Sequence, residues 1–302
     1  MAWGGILAAL ASAIMLGGAP ILAKLAYREG ADPATVVILR SGIAALALWA
    51  LYLIHPRWRR YLYIYPVGLL GCLAVGFTNA LGSIFYYMGL YRLDAAVAHL
   101  IYSAYPALVA AITHLNREPI PRWTCLRILM AGLGVGLLLG RFQGMPDLLG
   151  VILMLLSSGL YALHVVLSQR VLYEMPAQTL TLYALTAMAA FTPAAGWVMD
   201  NVRAPVPTAA LGPIAAMAGV LMLSRLTMFM GVKRLGGVQT ALLTVLEILA
   251  TVGLAIGFLE EQLTPVQWLG ALLMITSVVL LARESPRALV PRWRMPLLPP
   301  AG

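Results

Sequence analysis

Met88-Gly89-Leu90-Tyr91-Arg92-Leu93 closes one long apolar run of this sequence, and Met230-Gly231-Val232-Lys233-Arg234-Leu235 closes another. The two stretches match in pattern, and each is followed by a further apolar run ending near a glutamate, Glu118 in the first half and Glu261 in the second. Such self-similarity marks an internal repeat. Its copies are placed by counting apolar segments of about 20 residues, the length that crosses a bilayer as a helix. Ten such spans are predicted: Trp3–Tyr27, Pro33–His55, Val67–Tyr91, Ala95–Leu115, Arg122–Gly140, Asp147–Gln169, Pro176–Met199, Thr208–Val232, Val238–Leu259 and Thr264–Ala282. With an odd number of spans per copy, the second copy enters the membrane from the opposite side. The reading is an all-α polytopic membrane protein of ten transmembrane helices in two inverted five-helix repeats, 1–141 and 142–283, followed by a cytoplasmic tail, 284–302.

Composition agrees. Hydrophobic residues make up 62% and charged residues 10% of the 302, and mean hydropathy is +0.89. A water-soluble domain carries roughly 25% charged residues. The net charge of +9 does not imply nucleic acid, because the basic residues fall between apolar runs and not on one soluble face. With both termini in the cytoplasm, Arg57, Arg59, Arg60, Arg117, Arg122, Arg170, Lys233, Arg234 and the arginines of the tail lie inside. Glu29, Asp32, Asp94, Asp147, Asp200, Glu260 and Glu261 then lie outside. Basic excess on the inner side sets membrane orientation, and the expected location is a bacterial plasma membrane. Cys72 and Cys125 both sit in apolar segments, with neither a disulfide framework nor a metal-ligand spacing. No cofactor is expected.

At this point the chain resembles the EamA-type members of the drug/metabolite transporter superfamily, over about residues 3–282. The similarity is carried by the five-plus-five pattern and by Leu246-Glu247-Ile248. Glu261 and Leu263-Thr264-Pro265-Val266-Gln267-Trp268-Leu269-Gly270 follow; Tyr105-Pro106 and Glu118 stand at the matching places of the first repeat. Ile248 stands where that family usually has proline after the mid-helix glutamate. The resemblance implies an exporter or exchanger of amino acids or similar metabolites, with YddG-like aromatic-amino-acid exporters as one branch.

Charges inside a membrane cost about 2.5–3.5 kcal/mol each on insertion scales and require partners or a wet cavity. Arg40, Arg225 and Glu247 stand out. Arg225 and Glu247 lie on consecutive spans at similar distance, about 15 Å by helix rise, from the turn at Leu235-Gly236, so an ion pair between them is geometrically easy. It reads equally as a structural pin or as part of coupling. Arg40, about 10 Å inside the outer boundary, reads as snorkelling outward toward Glu29 or Asp32, and Lys24 as doing the same.

Polar residues also recur at helical spacing: Asn79, Ser83, Tyr86 and Tyr87 in the third span; His99, Tyr102, Ser103 and Pro106 in the fourth; Ser157, Tyr161, His164 and Ser168 in the sixth; Thr240, Thr244, Glu247 and Thr251 in the ninth. A lipid-facing helix has no use for such a stripe, so these faces point at other helices or at water. Together they predict a tyrosine-rich central cavity for a small amphiphilic or zwitterionic solute. The candidate substrate-binding residues are Asn79, Ser83, Tyr86, Tyr87, His99, Tyr102, Ser103, Tyr161, His164, Thr244 and Glu247.

Glu247, His99 and His164 are the candidates for proton coupling, because such groups change charge at accessible pH. Glu247, Arg225 and Pro20 are the candidates for coupling or gating. Pro20, in Gly17-Gly18-Ala19-Pro20, is expected to break the first span past its middle. The partners expected are a small-molecule substrate and membrane lipid, with a monomer or loose homo-oligomer and no nucleic acid. The alternative function is an intramembrane transferase-type enzyme. No H-E-x-x-H, paired intramembrane aspartates or Ser-His-Asp set accompanies it.

Overall fold

A computed structural model describes residues 2–114, 147–198, 206–235 and 244–282, with the single residues 126, 129, 130, 133, 134 and 137 between them. The fifth predicted span, Glu118, Thr240 and the tail lie outside this set, apart from those single residues. Among the described residues every regular element is helical: α1 (Ala2–Arg28), α2 (Pro33–Ile54), α3 (Pro66–Arg92), α4 (Ala95–Tyr102), α5 (Tyr105–His114), α6 (Leu148–Leu172), α7 (Ala177–Val198), α8 (Thr208–Leu235), α9 (Thr244–Leu259) and α10 (Pro265–Ala282). Five helices among the described residues are long and apolar enough to cross a membrane, Leu7–Arg28, Pro33–Ile54, Pro66–Arg92, Leu148–Leu172 and Thr208–Arg234. The helix starts follow local chemistry. Asp32 accepts from the Thr35 N–H at 2.8 Å, with Pro33 at the first helical position of α2. Asp147 accepts from Gly150 at the start of α6.

The fourth and first spans differ from expectation in the same respect. The break foreseen at Pro20 is absent, and α1 runs through it as one helix. The break instead falls in the fourth span, between α4 and α5, at Ser103–Ala104. There the Ser103 hydroxyl donates to the Leu100 carbonyl at 2.6 Å, and Ala104 N–H bonds Ile101 with the tighter i→i−3 spacing. Pro106, just beyond, has no N–H to continue the ladder onto Tyr102. A single proline costs α1 one bond, which a long packed helix tolerates. At Ser103–Pro106 a competing hydroxyl and a proline act on the same turn.

The principal packing pairs are α1 with α8 and α3 with α6, followed by α3 with α7, α1 with α9 and α2 with α7. Each half therefore packs mainly on the other. The α3–α6 pair is antiparallel: Ser157 Oγ donates to the Gly82 carbonyl at 2.7 Å, His164 Nδ1 lies 3.0 Å from the Val75 carbonyl, and Gly150 meets Gly89. The α1–α8 pair is antiparallel too, with Ser12 Oγ donating to the Ser224 carbonyl at 3.0 Å and Gly4 against Arg234. The two serine bonds are counterparts. Both acceptors lie six residues before the matched stretch, 82 before Met88 and 224 before Met230. Alpha1 and α3 run parallel, since Lys24 and Tyr27 donate to the carbonyls of Leu93 and Tyr87. It follows that Met88–Leu93 and Met230–Leu235 lie at opposite ends of the bundle.

Small side chains permit these approaches. A methyl at Gly17 would come within 2.9 Å of the Glu247 carbonyl oxygen, so α1 and α9 touch backbone to backbone just where the charged residue projects. Thr251 Oγ1 donates to Gly17 O at 2.9 Å and fixes the same crossing. At the end of the bundle near Leu93, Glu261 of the α9–α10 turn accepts the Ala95 and Ala96 N–H groups at 2.7 and 2.9 Å. A carboxylate from the second half thus caps a helix of the first.

Candidate functional site

A cavity lies where the helices of both halves cross. It is walled by Leu16 and Ala19 of α1, Arg40 of α2, residues between Thr78 and Tyr87 of α3, His99 and Tyr102 of α4, Ser157 and Tyr161 of α6, Arg225 of α8 and Glu247 of α9. Nine sequence-selected residues therefore meet at one place: Asn79, Ser83, Tyr86, Tyr87, His99, Tyr102, Tyr161, Arg225 and Glu247. Helical periodicity puts each stripe on the inward face of its helix, and the antiparallel crossings bring those faces to one depth.

Three selected residues fall elsewhere. His164 is fully buried behind the wall, its Nδ1 on the Val75 carbonyl and its ring stacked on Tyr161 at 5.5 Å between centroids. Ser103 is spent on the α4–α5 break. Pro20 is not a lining residue, although the carbonyl its missing N–H leaves unpaired is that of Leu16, which is one. The side chain of Thr244 lies outside the described residues.

Aromatic rings form the apolar part of the wall. Tyr86 and Tyr102 meet edge-on at 4.8 Å between centroids, and Tyr102 and Tyr161 lie 5.4 Å apart. Tyr105, at the place of the first repeat that matches Glu247, closes the cluster edge-on to Tyr161 at 4.6 Å. Such rings offer apolar area with hydroxyl handles.

The charged groups are arranged differently from the sequence reading. Arg225 and Glu247 reach the same cavity but form no ion pair. Arg225 donates to Asn79 Oδ1 at 2.9 Å and to the Tyr161 hydroxyl at 3.1 Å. The near partner of Glu247 Oε1 is His99 Nε2 at 3.4 Å. The other ring nitrogen of His99 is 3.0 Å from the Tyr86 hydroxyl. Tyr86, His99 and Glu247 thus form a short polar chain.

Arg40 corrects a second expectation. It does not snorkel outward: its side chain is 5% exposed and turned into the cavity, with the guanidinium 4.3 Å above the Tyr87 ring. Asp32, the expected partner, is engaged with both the N–H and the hydroxyl of Thr35. From sequence, Arg40 lies near enough to the outer boundary for either orientation. Only the Tyr87 ring and the capped Asp32 decide between them.

At the bundle end, where α3 finishes and α6 begins, Arg92 and Asp147 form an exposed ion pair at 2.9 Å. The Arg92 bond, and then the Gly150 N–H, hold the Asp147 carboxyl below its ordinary value.

Comparison with known proteins agrees with this architecture. A protein of Bacillus subtilis (strain 168) described as "Uncharacterized transporter YcbK" is 26% identical over 282 residues, covering 88% of each chain. A solved crystal structure with 17% sequence identity superimposes with a TM-score of 0.64, covering 93% of this chain and 98% of the other; at that identity it shows the fold alone. The sequence pattern of the EamA-like transporter family matches twice, at residues 3–140 and 148–283. A multi-pass helical bundle carrying this pattern across both of its halves belongs to the EamA-like transporter family of the drug/metabolite transporter superfamily, and is a membrane transporter.

Proposed function

We propose that the chain is a secondary transporter, an exporter or exchanger, of an amino acid or related amphiphilic solute, working by alternating access in a bacterial plasma membrane. The two halves, 1–141 and 142–283, act as inverted five-helix repeats, with both termini and the 284–302 tail in the cytoplasm. The observation that carries this reading is the shared cavity. Each half supplies hydroxyls and a guanidinium, while Glu247 and the His99 beside it come from opposite halves. A site built this way is opened or closed by rocking one half against the other.

Polar ties join the two halves at both bundle ends and support the mechanism. At one end Arg28 donates to the Leu259 carbonyl and Glu261 caps α4. At the other the Tyr65 hydroxyl donates to Glu174. Such ties exchange for water at modest cost, unlike an interdigitated apolar core. The Tyr86–His99–Glu247 chain is the candidate path for proton coupling.

The test is counterflow in proteoliposomes against labelled amino acids and sugars, with and without a pH gradient. Saturable exchange of an amino acid, altered by the gradient, is the expected result. Folded protein that exchanges no member of the panel refutes the solute class. Single cysteines in Met88–Leu93 and Met230–Leu235, labelled from the two sides of the membrane, test the inversion, which fails if both react from one side.

A further inference from the structure

We propose that the cavity selects a solute with net negative charge through a carboxylate shared by Arg40 and Arg225, with Arg40 as the residue that sets this charge preference. The proposal rests on the transport reading above and specifies its substrate class. The charge inventory is short. Among the cavity-lining residues, two guanidiniums face one carboxylate. Glu247 is near His99 and neutralises neither arginine by direct contact. Arg40 and Arg225 line the same cavity.

The hydrogen-bonding inventory points the same way. The Nε atoms of both Arg40 and Arg225 are buried and have no partner, and the two side chains are only 5% and 6% exposed. Arg225 spends its other donors on Asn79, Tyr161 and the Met228 sulfur. Arg40 makes no side-chain hydrogen bond among the described residues and rests on the Tyr87 face alone.

A buried guanidinium with so few partners is costly, and a purely structural arginine is normally anchored by carboxylates or carbonyls. An entering carboxylate supplies those bonds in the planar geometry a guanidinium favours. It also offsets the excess positive charge of the lining. A neutral zwitterion brings an ammonium as well and leaves the excess positive charge in place. A solute with one net negative charge cancels it. The tyrosine wall takes up the apolar remainder of the solute. The two arginines are not symmetry counterparts: Arg225 matches Ser83 in the repeat, each five residues before the matched stretch. The charge excess therefore belongs to this chain's particular side chains and not to the repeat itself.

The experiment measures binding to the purified full-length protein by protection against thermal unfolding, using isosteric pairs that differ in charge: L-glutamate with L-glutamine, acetate with acetamide, and succinate with succinamide, with inorganic phosphate alongside. The expected result is protection by the carboxylate member of at least one pair at about 10- to 100-fold lower concentration than its neutral isostere, the range one charged hydrogen-bonding partner supplies. In Arg40→Gln that ratio collapses toward unity. Arg40→Lys keeps the charge but not the fork and retains part of it.

Arg40→Gln also melts no lower than the parent without solute, because no partner is orphaned by its removal; a structural arginine gives the opposite, a lower melting point with an unchanged ratio. Equal protection by charged and neutral members, absence of protection by any carboxylate, stronger protection by phosphate, or an unchanged ratio in Arg40→Gln each overturn the proposal. Counterflow of a neutral amino acid under any of those outcomes leaves the transport reading standing.

Discussion

Removing the Glu261 carboxylate tests whether the two halves are joined energetically at the α4 end. Glu261 accepts two backbone N–H groups, those of Ala95 and Ala96 at 2.7 and 2.9 Å, at a helix start that has no side-chain cap of its own from Asp94. An N-cap contributes about 1 kcal/mol, and an anion at a helix N-terminus adds roughly 0.3–1 kcal/mol. The residue is only partly buried, so the fully buried values do not apply. Glu261→Ala is expected to destabilise by about 1.5–2 kcal/mol. Glu261→Gln, whose amide oxygen still accepts but carries no charge, is expected to lose about half of that.

Lys24 hydrogen-bonds the Leu93 carbonyl, beside the Ala95 and Ala96 N–H groups that Glu261 accepts. A double-mutant cycle between Lys24→Met and Glu261→Gln should therefore return a coupling of about 0.5 kcal/mol. The assay is equilibrium unfolding in mixed micelles by titration with a denaturing detergent. Coincident unfolding of Glu261→Ala and the parent refutes the reasoning, because α4 then needs no cap from the other half.

Four further outcomes are expected. Glu260, at the end of α9, holds a left-handed backbone (φ 59°) where the equivalent position after α1 is Gly30 (φ 89°). Glu260→Gly should stabilise by about 0.5–1 kcal/mol in the same titration, the left-handed penalty less glycine's entropy. A methyl at Gly76 meets Ala187 and comes within 2.6 Å of the Ala184 carbonyl oxygen, whereas Gly159 has open space. Gly76→Ala should therefore cost about 1–3 kcal/mol by overpacking while Gly159→Ala costs nothing, read from paired melting curves.

Because the folded state holds the Asp147 carboxyl below its ordinary value, its contribution is present above the unfolded-state value, roughly 4. It is lost as pH falls through the folded one. Asp147→Asn should flatten this small acid-side loss of stability, small because both Arg92 and Asp147 are in water. Glu247→Gln should abolish or decouple transport with folded protein retained. Tyr102→Ala and Tyr161→Ala should raise the apparent KM more than they lower yield. Wild-type flux with wild-type pH dependence in Glu247→Gln removes that residue from the mechanism.

Much of the site was legible because two periodicities run through the sequence. Apolar length set the segments. Polar residues at helical spacing set which face of each segment turns inward, which is why Asn79, Ser83, Tyr86, Tyr87, Tyr102, Tyr161 and Glu247 gather in one cavity. Tyr105 matches Glu247 in the repeat, which was the available signal for it. The serine bonds to Gly82 and Ser224 had no such signal, because a lone serine in an apolar run gives no hint of its acceptor.

What the sequence determined by itself was membership of the membrane class, the internal repeat and the inward stripes. These depend on how many apolar residues occur in a row and at what spacing, and both are one-dimensional properties. Tertiary structure alone decided the partners: His99 and not Arg225 beside Glu247, Arg40 over Tyr87 and not toward Asp32, and the break at Ser103 and not at Pro20. A long charged side chain reaches several places at once from a given depth, and a helix bends only where its neighbours leave the freed backbone somewhere to go. Those choices are fixed by which groups arrive from the other half, and no spacing along the chain encodes that.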